Sequence, residues 1–354
     1  MFMLNYGRGA MDKKKLYAVL WVDDYGSLKL RKKDVEWYHK NAGPISYALE
    51  CDDRFPWSFD MILNSKDDFS YDYLAFHYHP IKWKGARIPK KIYDALKLYM
   101  VVHSILRNFR FPFSKVVFRL VVFLVFIAAL ALIYRAYFLN TILFTVLIGL
   151  YTIVASLAGV WYYVQSPKNW EYKISDAEWN MNFILKAKEE FERRDFEFPK
   201  VIRHGWNLPW KGSMEFYVKI GIIADASAVP VGIDSHPKVG DREIEWKLSK
   251  PYFASLKRDY NVPWDGIDEK DKGLLELPVT LGNISAYGFG EKEKKIIEEI
   301  LDGGLVSVYI HPQDDFEPIK EWVWYLKENY DAKFVSAEEA AKIYFKDKDT
   351  RRGE

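Results

Sequence analysis

The amino-acid sequence predicts an α/β fold, a distorted (β/α) barrel whose chain is interrupted by a two-helix transmembrane hairpin. Three observations lead there. Short apolar runs alternate with amphipathic stretches along most of the 354 residues, as repeated strand–helix units do. Side chains capable of chemistry follow the ends of several of those runs, which is where an α/β barrel builds its reactive face. Two apolar segments, at 116–134 and 139–164, are each long enough to cross a bilayer.

Residues 16–22 (LYAVLWV) form a nearly continuous apolar run that ends at Asp23-Asp24, as a buried parallel strand would. Residues 73–78 predict a second strand, ending at His77-Tyr78-His79-Pro80. Beyond the apolar segments, 175–194 reads as an amphipathic helix, with Ser175 a candidate cap and Glu178 at the matching box position. A short strand is expected at 200–203, then the end of a helix and another strand over 218–224, and strands at 274–279 and 305–310. Helices are expected over 292–301, stopping at Gly303-Gly304, over 319–328 and over 337–344, with a last strand at 333–335. There is no glycine-rich phosphate loop and no internal repeat.

Residues 116–134 carry Arg119 as their only charge, and residues 139–164 carry none. A soluble core helix rarely runs this long without a polar face, and Arg119 lies about one turn inside, where its side chain can snorkel to the headgroups. The link at 135–138 is too short to hold a domain, so both ends of the hairpin emerge on one side. Lys97, Arg107, Arg110 and Lys115 precede the hairpin and Lys168 and Lys173 follow it, against Arg135 at the tip. Positive residues favour the cytoplasm, so the expectation is a cell-membrane protein with its main domain on the cytoplasmic side and the lipid bilayer as a partner. Residues 88–110 have helical spacing and several positive charges. They suit either a helix lying on anionic headgroups or a barrel helix that runs straight into the span. The expected organisation is 1–111 for the first part of the barrel with this juxtamembrane helix, 112–164 for the hairpin, and 165–354 for the second part.

A formal net charge of +2 gives no basic surplus for a nucleic-acid partner. Cys51 is the single cysteine, which excludes an intramolecular disulfide and a cysteine-rich zinc site. The first ten residues lack the apolar core of a secretory signal, so export by that route is not expected.

Four clusters at strand ends carry candidate chemistry: Asp23-Asp24, His77 with His79, Arg203, and His311. Each has a plain structural reading when taken alone. Adjacent aspartates commonly form turns or caps, a lone arginine usually sits in a salt bridge, and a histidine after a buried strand is usually packed. Together they say more. His77 and His79 are two apart and share one face of a strand, and two histidines with a carboxylate suit Zn²⁺ or another divalent metal. Such a metal lowers the pKa of bound water and polarises a carbonyl. Hydrolysis then needs a base and an acid, which Asp23 and His311 can supply.

These motifs, taken in order, resemble the polysaccharide deacetylase superfamily, which includes chitin and peptidoglycan deacetylases. The matching segments are Val22-Asp23-Asp24-Tyr25-Gly26, Phe76-His77-Tyr78-His79-Pro80, Arg203-His204-Gly205-Trp206, the stretch 221–229 (GIIADASAV), and Val308-Tyr309-Ile310-His311-Pro312. The histidine pair departs from the common spacing of four and looks like a divergent His-x-His-Pro branch. The resemblance spans residues 16–344 apart from the hairpin. It implies Asp24, His77 and His79 as metal ligands, with Zn²⁺ the expected ion. It implies Asp23 as general base, His311 as the acid that protonates the departing amine, Arg203 as the group that orients Asp23, and Asp225 as a residue that tunes the acid. Trp206, Trp210 and Tyr25 are the expected sugar-contacting aromatics. The implied reaction removes an acetyl group from an N-acetylated sugar, and the membrane hairpin points to a glycan or glycolipid presented at the bilayer. Two alternatives stand beside it: hydrolysis of another C–N or a glycosidic bond on the same fold, and a catalytically silent, membrane-tethered sugar-binding protein.

Overall fold

The structure is a computed structural model. It describes residues 13–25, 30–51, 72–84, 145–146, 148–149, 151–153, 155–156, 159–160, 170–173, 175–207, 209–210, 212–229 and 250–350. The chain divides into two compact units, one of Met1–Trp83 with Tyr172–Glu354 and one of Lys84–Glu171.

In the first unit the chain runs β1 (Lys15–Tyr25), α1 (Lys32–Asn41), β2 (Ser46–Cys51), β3 (Tyr73–Tyr78), α2 (Ala177–Glu192), β4 (Val201–His204), α3 (Ser213–Lys219) and β5 (Ala224–Asp225). It continues through β6 (Tyr252–Ser255), β7 (Asp259–Pro263), β8 (Lys272–Glu276), α4 (Ile284–Tyr287), α5 (Glu291–Glu299), β9 (Gly304–Ile310), α6 (Glu317–Asn329), β10 (Asp331–Phe334) and α7 (Ala337–Thr350). These ten strands form one curled sheet in the order β9-β1-β2-β3-β4-β5-β8-β6-β7, with β10 also paired to β1. From β9 to β8 every pairing is parallel, and the hairpin of β6 and β7 adds an antiparallel edge.

The apolar runs were legible because both faces of the parallel strands are covered. In β1, Leu16, Ala18, Leu20 and Val22 pack in one buried cluster with the helix residues Ile184, Phe191, Ile319, Trp322 and Leu326. Val19 and Trp21 pack in a second cluster with Ala75, Val201, Leu305 and Ala340. The split follows the two-residue period of a strand and recurs in β3 (Phe76 and Tyr78 against Ala75), β4 (Ile202 against Val201) and β9 (Val306 and Val308 against Leu305). Carried forward, the second face leads to Asp23 on β1, His77 on β3, Arg203 on β4 and, just past β9, His311.

The ladder is open between β8 and β9, and the segment after β8 bridges it. Leu277 and Val279 donate their backbone N–H to the carbonyls of Asp225 and Ala228, both at 2.7 Å. Leu281 N donates to Ser307 O and Tyr309 N to Gly282 O, both at 3.0 Å, so the same segment reaches β9. The Ser307 backbone N–H donates to Thr280 Oγ1 at 2.9 Å.

Several elements differ from expectation. The helix expected over 175–194 runs Ala177–Glu192, and its cap is Asp176 in place of Ser175: the Asp176 side chain accepts from Trp179 N at 3.0 Å. Ser175 is exposed. Strand β2, helix α1 and the β6–β7 hairpin were not anticipated. Strand β2 (SYALEC) is buried along its whole length, and six residues with a serine and a glutamate carry no clear period.

Among the described residues, no helix is long and apolar enough to cross a membrane. The expected span at 116–134 and the helix at 88–110 lie outside the described residues. The span at 139–164 is described only in short helical pieces, where Val146, Ile148, Tyr151 and Ile153 are exposed.

Candidate metal centre and active site

Adjacent side chains on a strand normally point to opposite faces, yet Asp23 and Asp24 both reach one site. The end of β1 breaks the alternation. Asp24 has φ of 52°, a left-handed conformation that aspartate tolerates better than most residues, and the β1–β2 register shifts between Val22 and Tyr25. Asp23 keeps the face of Val19 and Trp21, and Asp24 is turned to join it.

His77 lies opposite Arg203 in the β3–β4 register. Its Nδ1 is 2.9 Å from the Arg203 carbonyl oxygen. Only an N–H can satisfy a carbonyl, so Nδ1 carries hydrogen and Nε2 is the atom presented to Asp24 Oδ1, at 3.1 Å. His79 places its Nε2 3.3 Å from the same oxygen. The two imidazoles meet edge to face, with centroids 4.7 Å apart and planes at 90°. Gly205 backs the ring of His79 so closely that a Cβ there would lie 2.1 Å from Nδ1.

Asp24, His77 and His79 each offer a ligand atom within 4.8 Å of the others. Two imidazole nitrogens and one carboxylate oxygen suit zinc or a similar divalent ion. The tautomer of His77 favours the same fit. In a neutral His77 ring, Nε2 turns a lone pair towards a carboxylate oxygen, and a cation is what reconciles two facing acceptors. Burial raises the Asp24 carboxyl, but the imidazoles of His77 and His79 set against it and the charge at His311 outweigh it and hold the group well below the usual carboxylate range.

Asp23 faces Arg203, whose Nε lies 2.7 and 2.8 Å from the two carboxylate oxygens. Both residues are buried. A second guanidinium nitrogen donates to the Ala226 carbonyl, and the guanidinium lies 4.9 Å from the centre of the Tyr309 ring. Burial alone would lower the Arg203 pKa, but Asp23 reverses this and raises it. The pair is a charge-assisted clamp with a fixed orientation.

His311 points Nε2 towards Asp24 Oδ2 at 3.7 Å and Nδ1 towards Asp314 Oδ2 at 3.1 Å. Burial pulls the imidazole pKa down, but the Asp314 hydrogen bond and the negative charges of Asp24, Asp314 and Asp23 push it up to about 9. In the metal-free protein the ring should therefore titrate near pH 9 when followed by its C–H NMR signals. Asp314→Asn should lower that midpoint towards the ordinary 6.5. Because the folded value is raised, the linked stability is complete below about pH 6.5 and is lost as pH climbs through about 9. A midpoint unmoved by Asp314→Asn would remove Asp314 as a principal cause.

Two assignments need correction. The carboxylate against His311 is Asp314, not Asp225. Asp225 is fully buried: its Oδ1 accepts from Ser227 N at 2.8 Å and from the Ser227 hydroxyl, and its Oδ2 lies 3.0 Å from His204 Nδ1. Trp210 is only 1% exposed and donates its Nε1–H to Tyr217 OH at 3.1 Å, so it packs inside and offers no face to a sugar. The side chains of Tyr25 and Trp206 lie outside the described residues. Asp314 was missed although a signal existed: an aspartate three positions after a strand-end histidine is a turn former, and Asp314 N does donate to His311 O at 2.9 Å. Gly205 carried no signal in the sequence, because its importance comes from a ring that approaches from another strand.

Fold and site together define a class: an α/β protein with a curled, largely parallel sheet and a centre able to hold a metal at the strand ends. No family model matches the chain, and no curated protein matches it. A crystal structure from Mycobacterium smegmatis, described as a proposed polysaccharide deacetylase, aligns with 96% of this chain and 93% of its own. Identity is 11% and the TM-score 0.45, a likeness at which no role is transferred.

Proposed function

We propose that this protein is a metal-dependent hydrolase that removes the acetyl group from an N-acetylated sugar presented at a membrane. The carrying observation is the convergence on one side of the sheet of Asp24, His77 and His79 with a clamped Asp23 and with His311, whose Nε2 is 3.7 Å from Asp24. A bound divalent ion, zinc above all, supplies Lewis acidity towards a carbonyl oxygen and acidifies a water. Asp23, held in place by Arg203, takes the proton of the attacking water. His311 delivers a proton from Nε2 to the amide nitrogen as the C–N bond breaks, so acetate and a free amine leave. Arg203 also fixes His77 through its carbonyl, and one residue thereby orients both the base and a ligand.

The membrane part of the proposal rests on the two long apolar segments and on exposed apolar residues in the described pieces of the second: Val146, Ile148, Tyr151 and Ile153. Such residues on helical backbone suit lipid better than water. The positive residues flanking the segments orient the main domain to the cytoplasm, and a lipid-linked amino sugar is the matching substrate.

The test uses purified full-length protein with zinc and N-acetylglucosamine-containing lipids, and measures released acetate. Asp23→Asn and His311→Ala should each lower the rate by about 10²–10⁴-fold, the usual worth of a general acid or base. Release that survives both substitutions would overturn the roles. Release of reducing sugar without acetate would move the cleaved bond to a glycosidic linkage.

A further inference from the structure

We propose that Asn283 and Asp314 form a positioning pair that locks the His311 imidazole with Nδ1–H bound and Nε2 turned to the Asp24 side, tying the acid to the segment that bridges the open edge of the sheet. The inference rests on the hydrolase reading above and adds two residues to it. Asp314 Oδ2 receives three donors: the His311 backbone N–H at 2.8 Å, its Nδ1 at 3.1 Å, and the Asn283 amide at 3.0 Å. Asn283 is buried, and its two amide atoms do separate jobs. Oδ1 accepts from Ala286 N at 3.1 Å and caps α4. That assignment sends the NH₂ group to Asp314; the same nitrogen lies 3.3 Å from His311 Nδ1, a donor beside a donor, so Asn283 acts on the ring through Asp314.

A cap alone needs only an oxygen, and a turn after β9 needs no buried amide behind it. The neighbouring backbone explains the placement. Leu281 and Gly282 are hydrogen-bonded to β9 at Ser307 and Tyr309, so the edge is bridged directly beneath the acid and the next residue is the one that reaches it. Nδ1 is thereby occupied, and Nε2 remains the only ring nitrogen able to deliver a proton towards the Asp24 side.

The division of labour within one amide makes the proposal testable. Asn283→Ser keeps a capping oxygen and loses the NH₂ group, whereas Asn283→Asp keeps the cap but sets an oxygen against Asp314. The first readout is ¹⁵N NMR of the His311 ring in metal-free full-length protein, at a pH where the ring is neutral. The unsubstituted protein should show the Nδ1–H tautomer, Asp314→Ala a mixture, and Asn283→Ser a partial shift. The second readout is zinc-loaded turnover on an acetamide and on 4-nitrophenyl acetate, whose phenolate leaves without a proton. Asn283→Ser should lower kcat for the amide by about 10–100-fold, the scale of lost supporting contacts, with KM and aryl-ester turnover little changed. Asn283→Asp should do worse on the amide. An unchanged tautomer in Asp314→Ala, or an equal fall on both substrates, would overturn the pair. If the unsubstituted protein cleaves neither substrate, the hydrolase reading fails while the tautomer measurement still decides the pair.

Discussion

Replacing Gly205 with alanine is expected to abolish tight metal binding while leaving the fold intact. The added Cβ would lie 2.1 Å from His79 Nδ1, 2.2 Å from Cε1 and 2.5 Å from Cγ, separations no real contact tolerates, so the ring must move. It has little room to do so without losing its place, because the His77 ring lies 4.7 Å away, itself pinned to the Arg203 carbonyl, and Asp24 Oδ1 lies 3.3 Å from its Nε2. Gly205 does not occupy the left-handed backbone region, so alanine adds no backbone strain and the effect is steric and local. Zinc affinity should fall by about 100-fold or more, at or beyond the upper end of what losing a ligand's support costs. Thermal unfolding of the metal-free protein should barely change. Competition with a chromogenic chelator measures the first quantity and circular dichroism the second. Unaltered zinc affinity would mean that His79 is not a ligand.

The second large effect is expected at Arg203. Its guanidinium and the Asp23 carboxylate are buried together, and removing one partner of such a pair leaves an uncompensated charge, at a cost of about 3–5 kcal/mol. Arg203→Met should therefore destabilise the protein by that amount in urea unfolding and abolish acetate release. Combining it with Asp23→Leu removes the stranded charge, and most of the lost stability should return. Activity should not return, since the base is gone. If the double variant is as unstable as Arg203→Met alone, the damage lies in packing around Tyr309 and Ala226 and not in charge. Lysine should rescue poorly, because a single ammonium cannot reproduce the contacts to Asp23 and the Ala226 carbonyl together.

What was legible in the sequence follows from how each feature is encoded. Strands β1, β3, β4 and β9 show as apolar runs because both faces are covered, and the residues just past those runs are the ones the fold gathers. Asp24, His77 and His79 are brought together by the fold, close enough to share an ion, and His-x-His on one strand face was the signal for their proximity. Strand β2 gave no such signal, since Ser46, Glu50 and Cys51 interrupt its apolar character. Asp225 was set beside the acid only through the resemblance of the 221–229 stretch to a family motif, whereas the fold buries it against His204. Trp210 was misassigned for a related reason: a tryptophan at a barrel rim and one inside the rim read alike until the Tyr217 hydroxyl is placed beside it. Asn283 and Gly205 act through partners brought from other strands, and no local pattern encodes that.

Strands β3 and β4 lie side by side, with His77 opposite Arg203, although 126 positions separate those residues in the chain. Closing a loop costs entropy that grows only with the logarithm of its length, about 0.6 kcal/mol per doubling. Carrying residues 84–171 between the two strands therefore handicaps folding by roughly 1 kcal/mol, less than one well-buried leucine contributes. A junction of this kind lets a lineage acquire, lengthen or discard a whole passenger segment without rebuilding the strand ends beside it.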